Sequence, residues 1–184
     1  MRLRRLPLGA MVAMALAIPV SASQGVSAAG ALPLVSPCHT VALAPSVGRG
    51  SAAAGTAYET LLIKNRSPHS CKLSGTPATQ FGNFVGSGGL VVFRGVGPAA
   101  TKLTYAGRGK TVILKPGATA SVTVGIETAA NFFPRSKCSA ANASRVRLVF
   151  PGGTALYYTL RTNAVCTKIA STLTSGVVLG TRFP

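Results

Sequence analysis

Cys38 is followed at once by His39, and in NRSPHSCKLSGTP (residues 65–77) His69 stands two positions before Cys71. Thiols and imidazoles so spaced can ligate a metal or pair as nucleophile and base, and the thiols alone can close a disulfide. Glu59 and Glu127 are the only acidic side chains, and there is no Asp. Zinc sites are recognised by tightly paired ligands, which this spacing lacks, and thiolate chemistry needs free, ionised cysteines. Glycoside hydrolysis needs two carboxyl groups a few ångström apart in separate roles, and two glutamates in distant strand-like segments would pair only by coincidence. A serine hydrolase needs a base and an orienting acid, and no nucleophile-elbow pattern occurs. GSGG (86–89) and GRGK (107–110) are glycine-rich, but neither follows a strand and opens a helix, so both read as turns rather than phosphate cradles. Asn142-Ala143-Ser144 matches a glycosylation acceptor, a pattern short enough to recur by chance. The residues therefore predict no catalytic group, no metal ligand and no cofactor. The alternative is an extracellular hydrolase or metal-binding protein using His39, His69 and Glu59.

The fate of the cysteines depends on compartment, and the N-terminus speaks to that. MRLRR carries Arg2, Arg4 and Arg5, and an apolar run follows from Leu6 to Val20. That run is short of the roughly 20 residues a helix needs to span a bilayer. Pro19 interrupts it just before the small residues Ser21 and Ala22. A charged head, an apolar middle and a small-residue exit describe a secretory signal peptide. Cleavage is expected after Ala22, with Ala28 as the rival position. A lipoprotein would place a cysteine directly after the apolar run, whereas the first here is Cys38. No second long apolar segment occurs, so the mature chain is expected outside the cytoplasm, secreted or at the cell envelope, without a transmembrane segment. There, oxidation is the default fate of thiols.

Charge then bounds the partners. Lys and Arg number 19 against 2 acidic residues, a formal charge of +17, and losing the three arginines of residues 1–22 leaves +14. Such a chain attracts polyanions. Its 47% apolar content excludes a disordered basic tail. Nucleic acid is not an expected partner for an exported protein. Anionic cell-wall or membrane-surface polymers, or an envelope protein, are.

The elements that must carry these residues read as strands. Residues 23–37 are small and aperiodic and read as a flexible linker, which leaves 38–184 as one domain. From His39 onward, short β-branched and aromatic runs alternate with Gly, Pro, Ser and Asn, the pattern of an antiparallel all-β domain. Strands are expected at 40–45, 57–65, 90–95, 111–116, 118–127, 144–150 and 154–160, with a short one near 71–81 and a closing one at 171–180. Pro116-Gly117 and Pro151-Gly152-Gly153 mark turns. TAANFFPRSK (128–137) holds at most a single helical turn. The expected fold is an immunoglobulin-like antiparallel β-sandwich of roughly seven to nine strands.

That layout favours the staple. Cys38 opens the first strand and Cys71 lies beyond the second, while Cys138 and Cys166 flank the hairpin at 144–160. Of three connectivities, only Cys38–Cys71 with Cys138–Cys166 closes both ribbons locally. Each bond should contribute about 3–4 kcal/mol. His39 and His69 then sit solvated on the rim. In SRVRLVF (144–150), Val146, Leu148 and Phe150 point inward, which turns Arg145 and Arg147 outward. A three-residue loop places Arg147 opposite Tyr157 and Arg145 opposite Thr159, with Arg161 following on the same face. An arginine stacked on Tyr157 and three guanidinium groups on one sheet face make a candidate site for phosphate or carboxylate polymers.

The order of these features resembles a known family. Cys38 before a first strand, GTAY (55–58), Asn65 ahead of CKLSGTP (71–77), LKPGATA (114–120), Cys138, Pro151 within VFPGG and Cys166 resemble the secreted actinobacterial domain of unknown function 4232. The resemblance implies a small exported β-sandwich, alone or attached to envelope proteins, and no established catalytic residues. Acidic residues common in that family's central turn are absent from FGNFVGSGG (81–89), so an acid-dependent site would not carry over.

Overall fold

The computed structural model describes residues 34–102 and 110–181. The expected leader, most of the expected linker and most of GRGK lie outside them. Leu34–Pro184 forms one compact unit. Its strands are β1 (Leu43–Ala53), β2 (Thr56–Asn65), β3 (Cys71–Leu73), β4 (Ala78–Ser87), β5 (Leu90–Gly95) and β6 (Thr101–Lys102). They continue with β7 (Val112–Leu114), β8 (Thr119–Glu127), β9 (Ala140–Val149), β10 (Ala155–Cys166), β11 (Thr172–Thr174) and β12 (Val178–Leu179).

Two sheets carry the fold. One runs β1-β2-β8-β11-β6, with β12 also paired to β8; the other runs β10-β9-β4-β5; β3 and β7 form a separate ribbon. Alternation decides which side chains meet. Leu61 and Ile63 of β2, Val122 and Val124 of β8, Phe81 of β4, Val146 and Leu148 of β9, and Leu156 and Tyr158 of β10 are all buried in one core. β8 is buried from Ala120 to Ile126 because it lies in the middle of its sheet, with β2 on one side and β11 and β12 on the other. Two polar contacts tie the sheets together. The Tyr158 hydroxyl donates to the Leu62 carbonyl at 3.3 Å, and Thr79 Oγ1 donates to Thr174 Oγ1 at 2.9 Å. Burial pushes the Tyr158 phenol well above its ordinary pKa.

The all-β sandwich class is the one the sequence implied, with differences that have local causes. The described residues hold twelve strands rather than seven to nine, and the surplus is short segments of two or three residues such as β3, β6, β7, β11 and β12. Thr40–Ala42, placed in a first strand by sequence, is a 3-10 turn, and β1 instead runs on to Ala53. LAPSVGRGSAA has weak strand propensity; pairing with β2 along its length makes it a strand, with a register shift between Val47 and Gly50. The expected closing strand is split. Ser175 donates its N–H to the Thr123 carbonyl and accepts the Thr123 N–H on Oγ, both at 2.8 Å, so a side chain replaces one rung between β11 and β12. β11 and β6 pair in parallel, the one parallel ladder among the named strands. TAANFFPRSK holds two 3-10 turns, at Ala129–Asn131 and Arg135–Lys137.

The structure forms the bonds Cys38–Cys71 and Cys138–Cys166, with Cα separations of 4.8 and 4.5 Å. The second closes the open end of the β9–β10 ribbon. The first joins β3 to the chain entering the domain: Cys38 N–H donates to the Lys72 carbonyl, and Lys72 N–H donates to the Ser36 carbonyl. Residues Ser36 and Pro37, assigned to the linker by sequence, thus lie hydrogen-bonded along β3.

Candidate functional site

The histidine–cysteine segment is a turn built around Asn65. This residue is fully buried, and its side-chain amide donates to the carbonyls of His69 at 2.8 Å and Leu114 at 3.0 Å. Its Oδ1 accepts from the Ser67 N–H and hydroxyl. His69 is held by its backbone while its side chain faces solvent, and the His39 side chain is exposed as well. Both neighbouring sulfurs are spent in the Cys38–Cys71 bond. Among the described residues no three His, Cys, Asp or Glu side chains are grouped so as to hold a metal ion.

Glu59 lies elsewhere. It lines an open cleft of about 740 Å³ beside the β1 irregularity, with Arg49, Tyr58 and Arg161. Glu59 stands opposite Val124 and Glu127 opposite Thr56 on the same β2–β8 ladder. An odd number of positions separates them, so alternation sends the two carboxylates to opposite faces of the sheet. Arg161 lines this cleft with Thr159, where the β9–β10 register shifts between Thr159 and Asn163. It therefore does not simply continue the row of Arg145 and Arg147.

Those two arginines sit on the outward face of the β10-β9-β4-β5 sheet. Arg147 stands opposite Tyr157 and Arg145 opposite Thr159, the register implied by the loop length. Val146, Leu148 and Phe150 are buried beneath them. The ring contact differs from expectation. The Arg145 guanidinium lies over Phe84, 5.3 Å from the ring centroid, and Arg145 also donates to Thr159 Oγ1. Arg147 instead borders a small groove of about 240 Å³ with Ala78, Gln80 and Val149. Its Nε is buried without a hydrogen-bond partner among the described residues.

Phe84 belongs to a cluster that sequence reading missed. Phe84, Phe93 and Tyr157, from β4, β5 and β10, approach with centroids 6.0, 5.3 and 5.6 Å apart. Phe84 and Tyr157 keep about 40% of their surface exposed. Gly82 makes the approach possible, since a Cβ there would come within 2.7 Å of the Phe93 ring. The signal was present as aromatic residues at alternate positions of neighbouring runs, but only the non-local β4–β9 pairing brings Tyr157 to them. Neither Glu59 nor Glu127 is on any strand of this sheet. The face joins two guanidinium groups to an apolar, partly wet aromatic surface with no local counter-charge. Asn142 and Ser144 of the glycosylation-like triplet lie in β9, where Asn83 of β4 engages the Asn142 carbonyl and the Ser144 N–H and hydroxyl.

Fold and site together define a small all-β sandwich held by two disulfides, the kind of crosslink that an oxidising compartment sustains. No helix among the described residues is long and apolar enough to cross a membrane. The chain belongs to the family described as "Domain of unknown function (DUF4232)", whose model matches residues 38–178. No curated protein and no solved structure matches it.

Proposed function

We propose that this is an exported, non-catalytic binding domain that works at the cell envelope and contacts anionic wall polymers through the outer face of the β10-β9-β4-β5 sheet. The leader is removed after Ala22, and no cofactor takes part. The observation that carries the reading is the pair Arg145 and Arg147. Both project from one strand over a sheet without a carboxylate, one braced on an aromatic ring and the other bordering a small groove. A guanidinium fork suits phosphate and carboxylate oxygens. The ring cluster beside them offers an apolar surface to the polymer's sugar or alkyl parts.

The test is retention on an immobilised anionic wall polymer at physiological salt. R145Q/R147Q is compared with K115Q/K168Q, which removes the same charge from exposed positions elsewhere. The proposal expects at least a tenfold larger loss in the arginine variant. Equal losses would reduce the attraction to bulk charge, which fades as salt screens it.

A further inference from the structure

The outward rings continue into a part of the molecule that has no place in a water-facing sandwich. β4 pairs with β9 only from Ala78 to Gly82, whereas its pairing with β5 runs from Gly82 to Ser87. The sheet therefore forks at Asn83, whose side chain takes the Asn142 carbonyl and the Ser144 N–H at 2.8 and 3.0 Å in place of further rungs. Beyond the fork the β4–β5 hairpin stands as a two-stranded ribbon to its Gly88-Gly89 turn. From Phe84 to Gly88 this is about 13 Å of strand. Both glycines have positive φ, as a tight hairpin turn requires, and a Cβ added to either would meet nothing within 4 Å.

Both faces of this ribbon are apolar. Phe84 pairs with Phe93 on one face, with Val91 following on the same side; Val85 pairs with Val92 on the other, with Leu90 beyond it. Leu90 and Val91 are 68% and 64% exposed, and Phe84, Val85 and Val92 are between 40% and 47%. A strand in an antiparallel sheet with one wet face alternates apolar and polar. This ribbon does not, so burying one face against a partner's groove would leave the other in water. A medium that surrounds the tip removes both faces from water.

Charge selects the medium. The hairpin contains no acidic residue in a chain of formal charge +17. At its base Arg145 lies over the Phe84 face. Arg94 pairs with Asn83 and so projects from the opposite face. An apolar tip collared by a guanidinium group on each side matches an anionic bilayer surface, with side chains among the acyl ends and cations at headgroup depth. Among the described residues the outer N–H and C=O groups of both strands lack ladder partners, so entry stops in the interfacial zone where water still reaches them. A second copy is disfavoured because it would bring the same cationic collar against itself. We infer that the β4–β5 hairpin is an interfacial membrane anchor that inserts its tip into anionic lipid. This goes beyond the polymer-binding reading; it shares Arg145 and Phe84 with that face, but its tip residues Leu90 and Val91 take no part there.

The chain contains no Trp, so V91W supplies a unique fluorophore at the tip. Protein with both disulfides formed and the leader removed is mixed at physiological salt with phosphatidylcholine vesicles, with or without phosphatidylglycerol. Flotation with the phosphatidylglycerol vesicles is expected, together with a blue-shifted V91W emission that brominated acyl chains quench. L90S/V91S should weaken partitioning about tenfold or more, since two exposed apolar side chains no longer enter the lipid. Its retention on wall polymer should stay unchanged, which separates this inference from the proposed function. Undiminished vesicle binding by L90S/V91S, or binding without a V91W shift, would overturn the anchor. So would a concentration-dependent dimer in lipid-free buffer that L90S/V91S abolishes, because a second copy would then cover the tip.

Discussion

Two glycine-turned hairpins share one sheet and follow opposite rules. β9–β10 alternates: Val146, Leu148, Leu156 and Tyr158 go into the core while Arg145, Arg147, Tyr157 and Thr159 face out. Cys138–Cys166 closes its open end. β4–β5 begins in the same way, with Thr79 and Phe81 buried, and then leaves the sheet at Asn83 with apolar side chains on both faces. The difference shows that a strand's pattern answers to what lies on each side of it. Where core and water face each other, polarity alternates; beyond the Phe84–Phe93 pair that Tyr157 touches, the ribbon carries exposed apolar side chains on both faces and breaks that rule.

Unfolding in urea should separate the two hairpins. C138A/C166A should lose about 3–4 kcal/mol, because the 28-residue separation it spans becomes an open loop in the unfolded chain. L148A on the inward face of β9 should cost about 3 kcal/mol through lost burial and the cavity left behind. Y158F should cost about 1 kcal/mol by removing the hydrogen bond to Leu62. The raised Tyr158 pKa adds a signature. Its contribution is fully present below the unfolded phenol pKa of about 10 and is lost as pH rises from there through the folded value. An alkaline fall in stability should therefore shrink in Y158F. V91A at the exposed tip should change stability by no more than about 0.5 kcal/mol. A V91A loss as large as that of L148A would mean that the tip is packed against protein, and the contrast would fail.

Much of the frame was legible because it depends on near neighbours in sequence. The loop Pro151-Gly152-Gly153 sets the Arg147–Tyr157 register, and strand alternation sorts Val146 from Arg147. The Cys138–Cys166 bond follows from the same ribbon. What was hidden depends on distant partners. LAPSVGRGSAA becomes a strand because β2 pairs with it, against its own composition. Arg145 finds Phe84 rather than Arg147 finding Tyr157, because β4 lies beside β9, a pairing that no local pattern announces. Arg161 lines the Glu59 cleft, next to a register shift that no local pattern marks. The apolar tip stands in FVGSGGLVVF (84–93), yet the sequence places a strand only at 90–95 and reads GSGG as a turn, whereas β4 runs on to Ser87 and pairs with β5 beyond the fork at Asn83.

The binding face is tested most directly by a residue-resolved NMR titration of the disulfide-bonded domain with an anionic wall polymer at physiological salt. Shift changes should concentrate at Gln80–Phe84, Ser144–Arg147 and Leu156–Thr159. Changes spread evenly over exposed cations such as Lys64, Lys115 and Lys168 would contradict the account, since the polymer would then be reading net charge and not this sheet.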